Sequence, residues 1–415
     1  MSAGKSIQAN GRKYYLPKRC AVVICLDGSE PEYIDVAINN GLMPNLAEIC
    51  DTGTKRVAYS AMPSFTNPNN MSIATGSPPS VHGICGNYLL DPETNNEVMM
   101  NDVRFLRCPT LFSKFSDAGA RVAVITAKDK LRDLLGAGLS FAQHTAICFS
   151  SEQADKTTLP SNGIDSASKW LNKPVPNVYS ADLSEFVLAA GVKLAQEWHP
   201  NVMYLSTTDY IQHKFSPYET EAQQFYSMID NYIGELNEIG VALVITADHG
   251  MKPKHDSDGR PIVIYVQDLL DDWLGIQKAR VILPITDPYV VHHGALGSFA
   301  TAYLSKDTDI PSVISRLSKT GGIQKVLSRE EACNEYELPV DRIGDVVIVS
   351  ENNVTIGTSL DRHDLEALKE PLRSHGGISE QRVPFIMNSK IDIHNTPKLR
   401  NFDAFYYATQ IAQTN

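Results

Sequence analysis

The chain has 415 residues, 43% of them hydrophobic, and a formal net charge of -11. That length and apolar content suffice for a large buried core, either one α/β domain carrying an insertion or about two or three domains. The acidic balance argues against a nucleic-acid or anionic-membrane partner, and no stretch approaches the roughly 20 apolar residues needed to span a bilayer.

Residues 1–20 lack the apolar centre of a secretory signal and read as a short polar tail ahead of the first strand. The seven cysteines follow no metal-motif spacing and read as reduced thiols of a cytoplasmic protein, with Cys25 in the core and Cys85 without an evident role. AVVICLD is the first strand and ends on Asp27. The segment from Ser64 to Asn87 opens as a helix start, because Pro68 is tolerated in a first turn, where no N–H is missed. Thr66 there suits either a helix cap or, beside a cation, an alkoxide nucleophile. RVAVITAKDK is a second strand with Lys128 and Lys130 just beyond it. ADLSEFVLAAGVKLAQEW has helical spacing and ends at Trp198; NVMYLSTTD is a third strand, ending on Asp209. In DYIQH, Asp209 and His213 stand four residues apart and would share one face of a helical turn. A second amphipathic helix ends at Gly240, and VALVITADH is a fourth strand, running into Asp248 and His249. Continuous apolar runs of this kind are buried on both faces of a parallel sheet.

Residues just past the carboxyl ends of such strands meet on one rim. An Asp at a strand end taken alone is an ordinary helix N-cap. Three such carboxylates on one rim repel one another, however, and the accompanying Asp-His and Asp-x3-His patterns point to metal ions, zinc suiting the mixed ligation. His375, beside two glycines, could close either site. After His249 the pattern changes to short strands with a helix, so residues 252–371 read as an inserted α+β cap over a catalytic core formed by residues 18–251 and 372–415. HDSDG at His255 to Gly259 and the His292-His293 pair read as loop and surface residues.

The segment from Thr66 to Asn87 resembles the signature of the nucleotide pyrophosphatase/phosphodiesterase branch of the alkaline phosphatase superfamily. Pro68, Asn69, Ile73, Thr75, Gly76, Pro79, His82, Gly83, Ile84 and Asn87 match in place, with Asp27, DYIQH, TADHGM and HGG extending the likeness through the core. That resemblance implies an alkaline-phosphatase-like α/β fold, a mostly parallel sheet flanked by helices, and two zinc ions per chain. It implies Asp27, Thr66, Asp248 and His249 as the ligands of one zinc, with Thr66 as the nucleophile that is transiently phosphorylated. Asp209, His213 and His375 would hold the second zinc, which grips the substrate oxygens, placing His213 at the substrate as well, and Asn87 would donate to one of those oxygens. His82, in the same signature, is expected to be structural.

K-x-K pairs are usually solvated, but two ammonium groups at this rim suit a substrate with a second anion. With Lys128 and Lys130 included, the motifs resemble the phosphonoacetate hydrolases of that superfamily, implying a small anionic phosphonate as substrate, with a homodimer as the candidate assembly. A carbon–phosphorus bond breaks heterolytically only if the carbanion is stabilised, here by an adjacent carboxylate and cations. The competing readings are a phosphodiesterase or phosphomonoesterase on the same core, and a non-enzymatic metal-binding scaffold. Thr66 counts against the cofactor-independent phosphoglycerate mutases, which use serine.

Overall fold

The structure, a computed structural model, describes residues 5–286, 295–366, 368–393 and 398–413; His292 and His293 lie outside the described residues. A seven-stranded sheet runs in the order Thr54–Tyr59, Arg382–Met387, Ala242–Thr246, Ala21–Cys25, Val202–Ser206, Val122–Thr126, Ala146–Ser150. The last five strands pair in parallel, and Arg382–Met387 is antiparallel to both of its neighbours.

The four apolar runs read from sequence are these central strands, each buried throughout. Their side chains alternate between two cores, as a period of two requires. Val23, Val124, Tyr204 and Val244 face one core; Ile24, Ile125, Leu205 and Ile245 face the other. On the first side pack the helices Thr66–Thr75, Leu111–Asp117 and Ala404–Ile411; on the second, Pro31–Asn39, Pro44–Thr52, Asp182–Glu197 and Thr220–Ile239. Truncating one such fully buried aliphatic side chain to Ala costs ~2–5 kcal/mol.

The register fixes where the site lies. Cys25 pairs with both Thr246 and Ser206, and Thr126 with Ser206, so the four strands end on one line. Asp27, Asp248 and Lys128 follow their strands by two residues and Asp209 by three, which brings all four to one rim.

The segment after His249 builds a separate antiparallel sheet, in the order Ala279–Ile282, Phe299–Leu304, Val346–Ser350, Ile323–Ser328, with helices Val266–Leu274, Ile310–Leu317 and Arg329–Tyr336. Its ends meet where Lys252–Pro253 pairs with Arg373–Ser374, which returns the chain to the rim at His375.

Candidate active site

Two buried groups of side chains face each other at the rim. Asp27, Asp248 and His249 form one, Asp209, His213 and His375 the other, and within each the candidate ligand atoms lie within 4.8 Å of one another. Helix Tyr210–Lys214 begins directly after Asp209, so the four-residue spacing puts His213 Nε2 3.0 Å from Asp209 Oδ2. His375 Nε2 stands 3.9 Å from the same oxygen, so among the alternatives open in sequence His375 closes the Asp209 group. The His249 and His375 rings, one from each group, stack with centroids 3.6 Å apart and planes 6° from parallel.

All three histidines are oriented by main-chain carbonyls. Nδ1 of His213 donates to Arg373 O, that of His249 to Gly250 O and that of His375 to Ser64 O, each at 2.9 Å. A carbonyl only accepts, so Nδ1 carries the proton and the Nε2 lone pair is directed into the cluster, as in metal-ligating histidines. Burial, then the neighbouring His249 and His213, hold the His375 imidazole well below its ordinary pKa, which keeps it neutral. Burial and the charges of Asp209 and Asp248 push Asp27 well above the carboxylate range, and its Oδ1 has no hydrogen-bond partner among the described residues. Burial also raises Asp209, but His213, Lys128 and His375 outweigh it and hold that carboxyl well below its usual range. Three buried carboxylates with an orphaned oxygen and three imidazoles aimed at them form a donor set that fits divalent cations, zinc among them.

Thr66 is the first residue of helix Thr66–Thr75, and Phe65 occupies the cap position without a side-chain cap bond. The hydroxyl is therefore not used as a cap; its Oγ1 lies 3.3 Å from His249 Nε2. Asn87 Oδ1 accepts from the Asn67 main-chain N–H at 3.0 Å, so its amide NH2 is the group available to the cavity. Thr66, Asn87, Lys128, Lys130, Asp27, Asp209, His213 and His375 all line one cavity, and Lys128 Nζ is 3.7 Å from Asp209 Oδ1.

Two glycines permit these approaches. Gly28 has φ +70°, and a Cβ there would meet Asp209 Cβ at 2.8 Å; Gly376 has φ +116°, and a Cβ there would meet the Phe65 ring at 2.3 Å.

Sequence reasoning left out several residues. Asn70 donates to Asp248 Oδ2 and to Thr66 O, and its Oδ1 accepts from Tyr204 and Ser206, so all four of its hydrogen-bond positions are used. Its place one helical turn after Thr66 was the available signal. Asn67, Thr207, Met99, Leu131 and Ile285 also line the cavity; Met99 and Ile285 come from segments with no local mark of function. His82, by contrast, is buried outside the cavity, bonded to Ser72 and to the Ile84 N–H. HDSDG forms a turn in which Asp256 accepts the N–H groups of Asp258 and Arg260.

A central, mostly parallel sheet covered by helices, with paired Asp/His groups at its carboxyl rim, defines the alkaline-phosphatase-like class of α/β proteins. The sequence model described as type I phosphodiesterase / nucleotide pyrophosphatase matches residues 21–377, and the chain belongs to that family. Among solved structures, phosphonoacetate hydrolase from Sinorhizobium meliloti 1021 in complex with phosphonoformate is 63% identical, covering 99% of this chain and 100% of that one, with a TM-score of 0.96. The same enzyme in complex with phosphonoacetate matches at 62% identity, the same coverage and a TM-score of 0.96. An ectonucleotide pyrophosphatase/phosphodiesterase from Caenorhabditis elegans is 36% identical over 78 residues, which span 19% of this chain and 10% of that protein. Among the described residues no helix is long and apolar enough to cross a membrane.

Proposed function

We propose that the chain hydrolyses the carbon–phosphorus bond of phosphonoacetate, releasing acetate and phosphate through a phospho-threonine at Thr66. The observation that carries this reading is the pair Lys128 and Lys130 lining the same cavity as Thr66 and the Asp209 group. Support comes from the phosphonoacetate hydrolase that is similar over nearly the whole chain.

In this reading Asp27, Thr66, Asp248 and His249 hold one zinc ion, and Asp209, His213 and His375 the other. When bound, the two ions supply positive charge that favours ionisation of the Thr66 hydroxyl and neutralises the phosphonate oxygens. Thr66 Oγ1 attacks phosphorus in line with the departing carbon; the P–O bond forms as the P–C bond breaks, and the carbon keeps the electron pair. Asn87 donates its amide N–H to a phosphonyl oxygen and fixes the direction of approach. Lys128 and Lys130 hold the substrate carboxylate, where the carbanion's charge is delocalised as an enediolate, and protonation at carbon gives acetate. Water then hydrolyses the phospho-threonine to phosphate and restores the hydroxyl. Met99, Leu131 and Ile285 give the cavity apolar walls that limit water around the methylene group.

Residues 252–371 act as the cap over the core formed by 18–251 and 372–415, a division supported by the separate antiparallel sheet and by Ile285 reaching the cavity. All seven cysteines are unpaired, which supports a reducing, cytoplasmic setting. The test is phosphate release from phosphonoacetate compared with a panel of nitrophenyl phosphate mono- and diesters. A clear preference for phosphonoacetate is expected; a preference for the esters overturns the substrate assignment.

A further inference from the structure

Away from the cavity lies a fully buried ion pair that the chemistry above does not use. Lys254 Nζ stands 3.0 Å from Glu380 Oε1, and both side chains are 0% exposed. Burying two charges costs several kcal/mol before their attraction is counted, and apolar residues of similar volume often serve the fold as well. The contacts made by this pair are therefore informative.

Glu380 binds the main chain just past both metal-group histidines. Its Oε2 accepts the N–H of Gly377, two residues after His375, at 2.8 Å. Its main-chain carbonyl accepts the N–H of Gly250, the residue after His249, at 2.7 Å. His249 and His375 belong to different Asp/His groups, and their rings are the ones stacked at 3.6 Å. Lys254 in turn donates to the carbonyl of Asn352, which lies between strands Val346–Ser350 and Thr355–Gly357 of the inserted segment. Glu380 thus ties together the two histidine loops, that of His375 through its carboxylate and that of His249 through its main-chain carbonyl, and the Lys254 ammonium links that carboxylate to the insertion.

We infer that Glu380, buried against Lys254, is a positioning residue whose hydrogen bonds set the spacing between the two Asp/His groups. The inference rests on the reading that those groups hold metal. Glu380 does not line the cavity and acts through the main chain beside His249 and His375. Without the Gly377 tether, the His375 loop keeps the Ser64 bonds to Gly376 O, Gly377 O and His375 Nδ1 and the bond from the Ser298 N–H to His375 O but loses its link to Glu380, and the spacing of the groups loosens. Outer-shell partners of metal ligands contribute about tenfold to a hundredfold in metal affinity.

The test compares two double variants that both lack the buried charges. Lys254→Met with Glu380→Gln keeps an oxygen for the Gly377 N–H, whereas Lys254→Met with Glu380→Leu leaves that N–H unpaired. Zinc affinity is measured by competition with a chromophoric chelator on the purified full chain, beside urea unfolding of the metal-free protein. The Gln variant is expected to bind zinc within about threefold of the wild type, and the Leu variant to lose about tenfold to a hundredfold. If the Leu variant does not fold, Glu380→Asp, which keeps the charge but shortens the arm by one methylene, takes its place with the same expected loss. Unchanged zinc affinity in the Leu variant, or in Glu380→Asp where that replaces it, overturns the inference while leaving the metal assignment standing. A wild-type chain that takes up no zinc overturns the metal assignment and the inference with it.

Discussion

His82 ties the acid stability of this protein to one imidazole. Its Nδ1 accepts the Ile84 N–H at 3.1 Å, so the ring proton sits on Nε2, which donates to Ser72 Oγ at 2.9 Å. A second proton has no acceptor, because it would have to enter between Nδ1 and another N–H. Burial, followed by the Arg342 guanidinium, accordingly pulls the pKa from 6.5 to about 3. The folded pKa lies below the unfolded one, so the stabilisation is fully present above 6.5 and is lost progressively as the pH falls toward 3. Integrated over that window, the effect is roughly 5 kcal/mol. Between about pH 6.5 and about pH 4.5 the slope rises from half of about 1.4 kcal/mol per pH unit to that full value, which amounts to about 2 kcal/mol in all. His82→Asn keeps an acceptor for Ile84 and removes the titrating group. At neutral pH the variant should be less stable by ~1–3 kcal/mol, through the lost Ser72 bond and lost volume. Urea unfolding of metal-free protein, followed by circular dichroism from about pH 6.5 to about pH 4.5, should then show the variant gaining about 2 kcal/mol relative to the wild type. Parallel stability curves for the two proteins would refute this account of His82.

Thr66→Ala should lower phosphonoacetate turnover at least about a thousandfold while zinc content stays near that of the wild type, measured by phosphate release and metal analysis. Lys128→Ala and Lys130→Ala should each reduce kcat/KM for phosphonoacetate by ~10²- to 10³-fold and affect aryl ester cleavage much less; equal losses on both would reject the carboxylate-holding role. Gly376→Ala forces a Cβ against Phe65 at positive φ and should destabilise the fold by ~2–4 kcal/mol with weakened zinc binding, seen in urea titrations and chelator competition.

The strands and the Asp rim were legible because they are local patterns read through one topological rule. An apolar run ending in Asp is visible in sequence, and parallel register carries Asp27, Asp209 and Asp248 to a common edge. The helices ending at Trp198 and Gly240 were legible from their spacing, and Asp182–Glu197 and Thr220–Ile239 stop where that spacing stops. The partner of His375 was open, since only the path of the chain around the inserted sheet decides which carboxylate it meets. Thr66 was ambiguous between cap and nucleophile because the two positions differ by one residue, and the structure puts Phe65 at the cap. Lys254 and Glu380 are separated by 126 positions, and no periodicity relates them. Met99 and Ile285 enter the cavity from opposite sides of a long stretch of chain, a relation that tertiary packing alone creates.

The central claim is that two Asp/His groups hold two divalent ions around one threonine hydroxyl. Metal analysis of the purified chain by plasma mass spectrometry, paired with phosphate release from phosphonoacetate before and after chelation, tests it most directly. Two ions per chain, with phosphate release lost on chelation and regained with zinc, is the predicted result. Phosphate release that persists undiminished in metal-free protein would contradict the account.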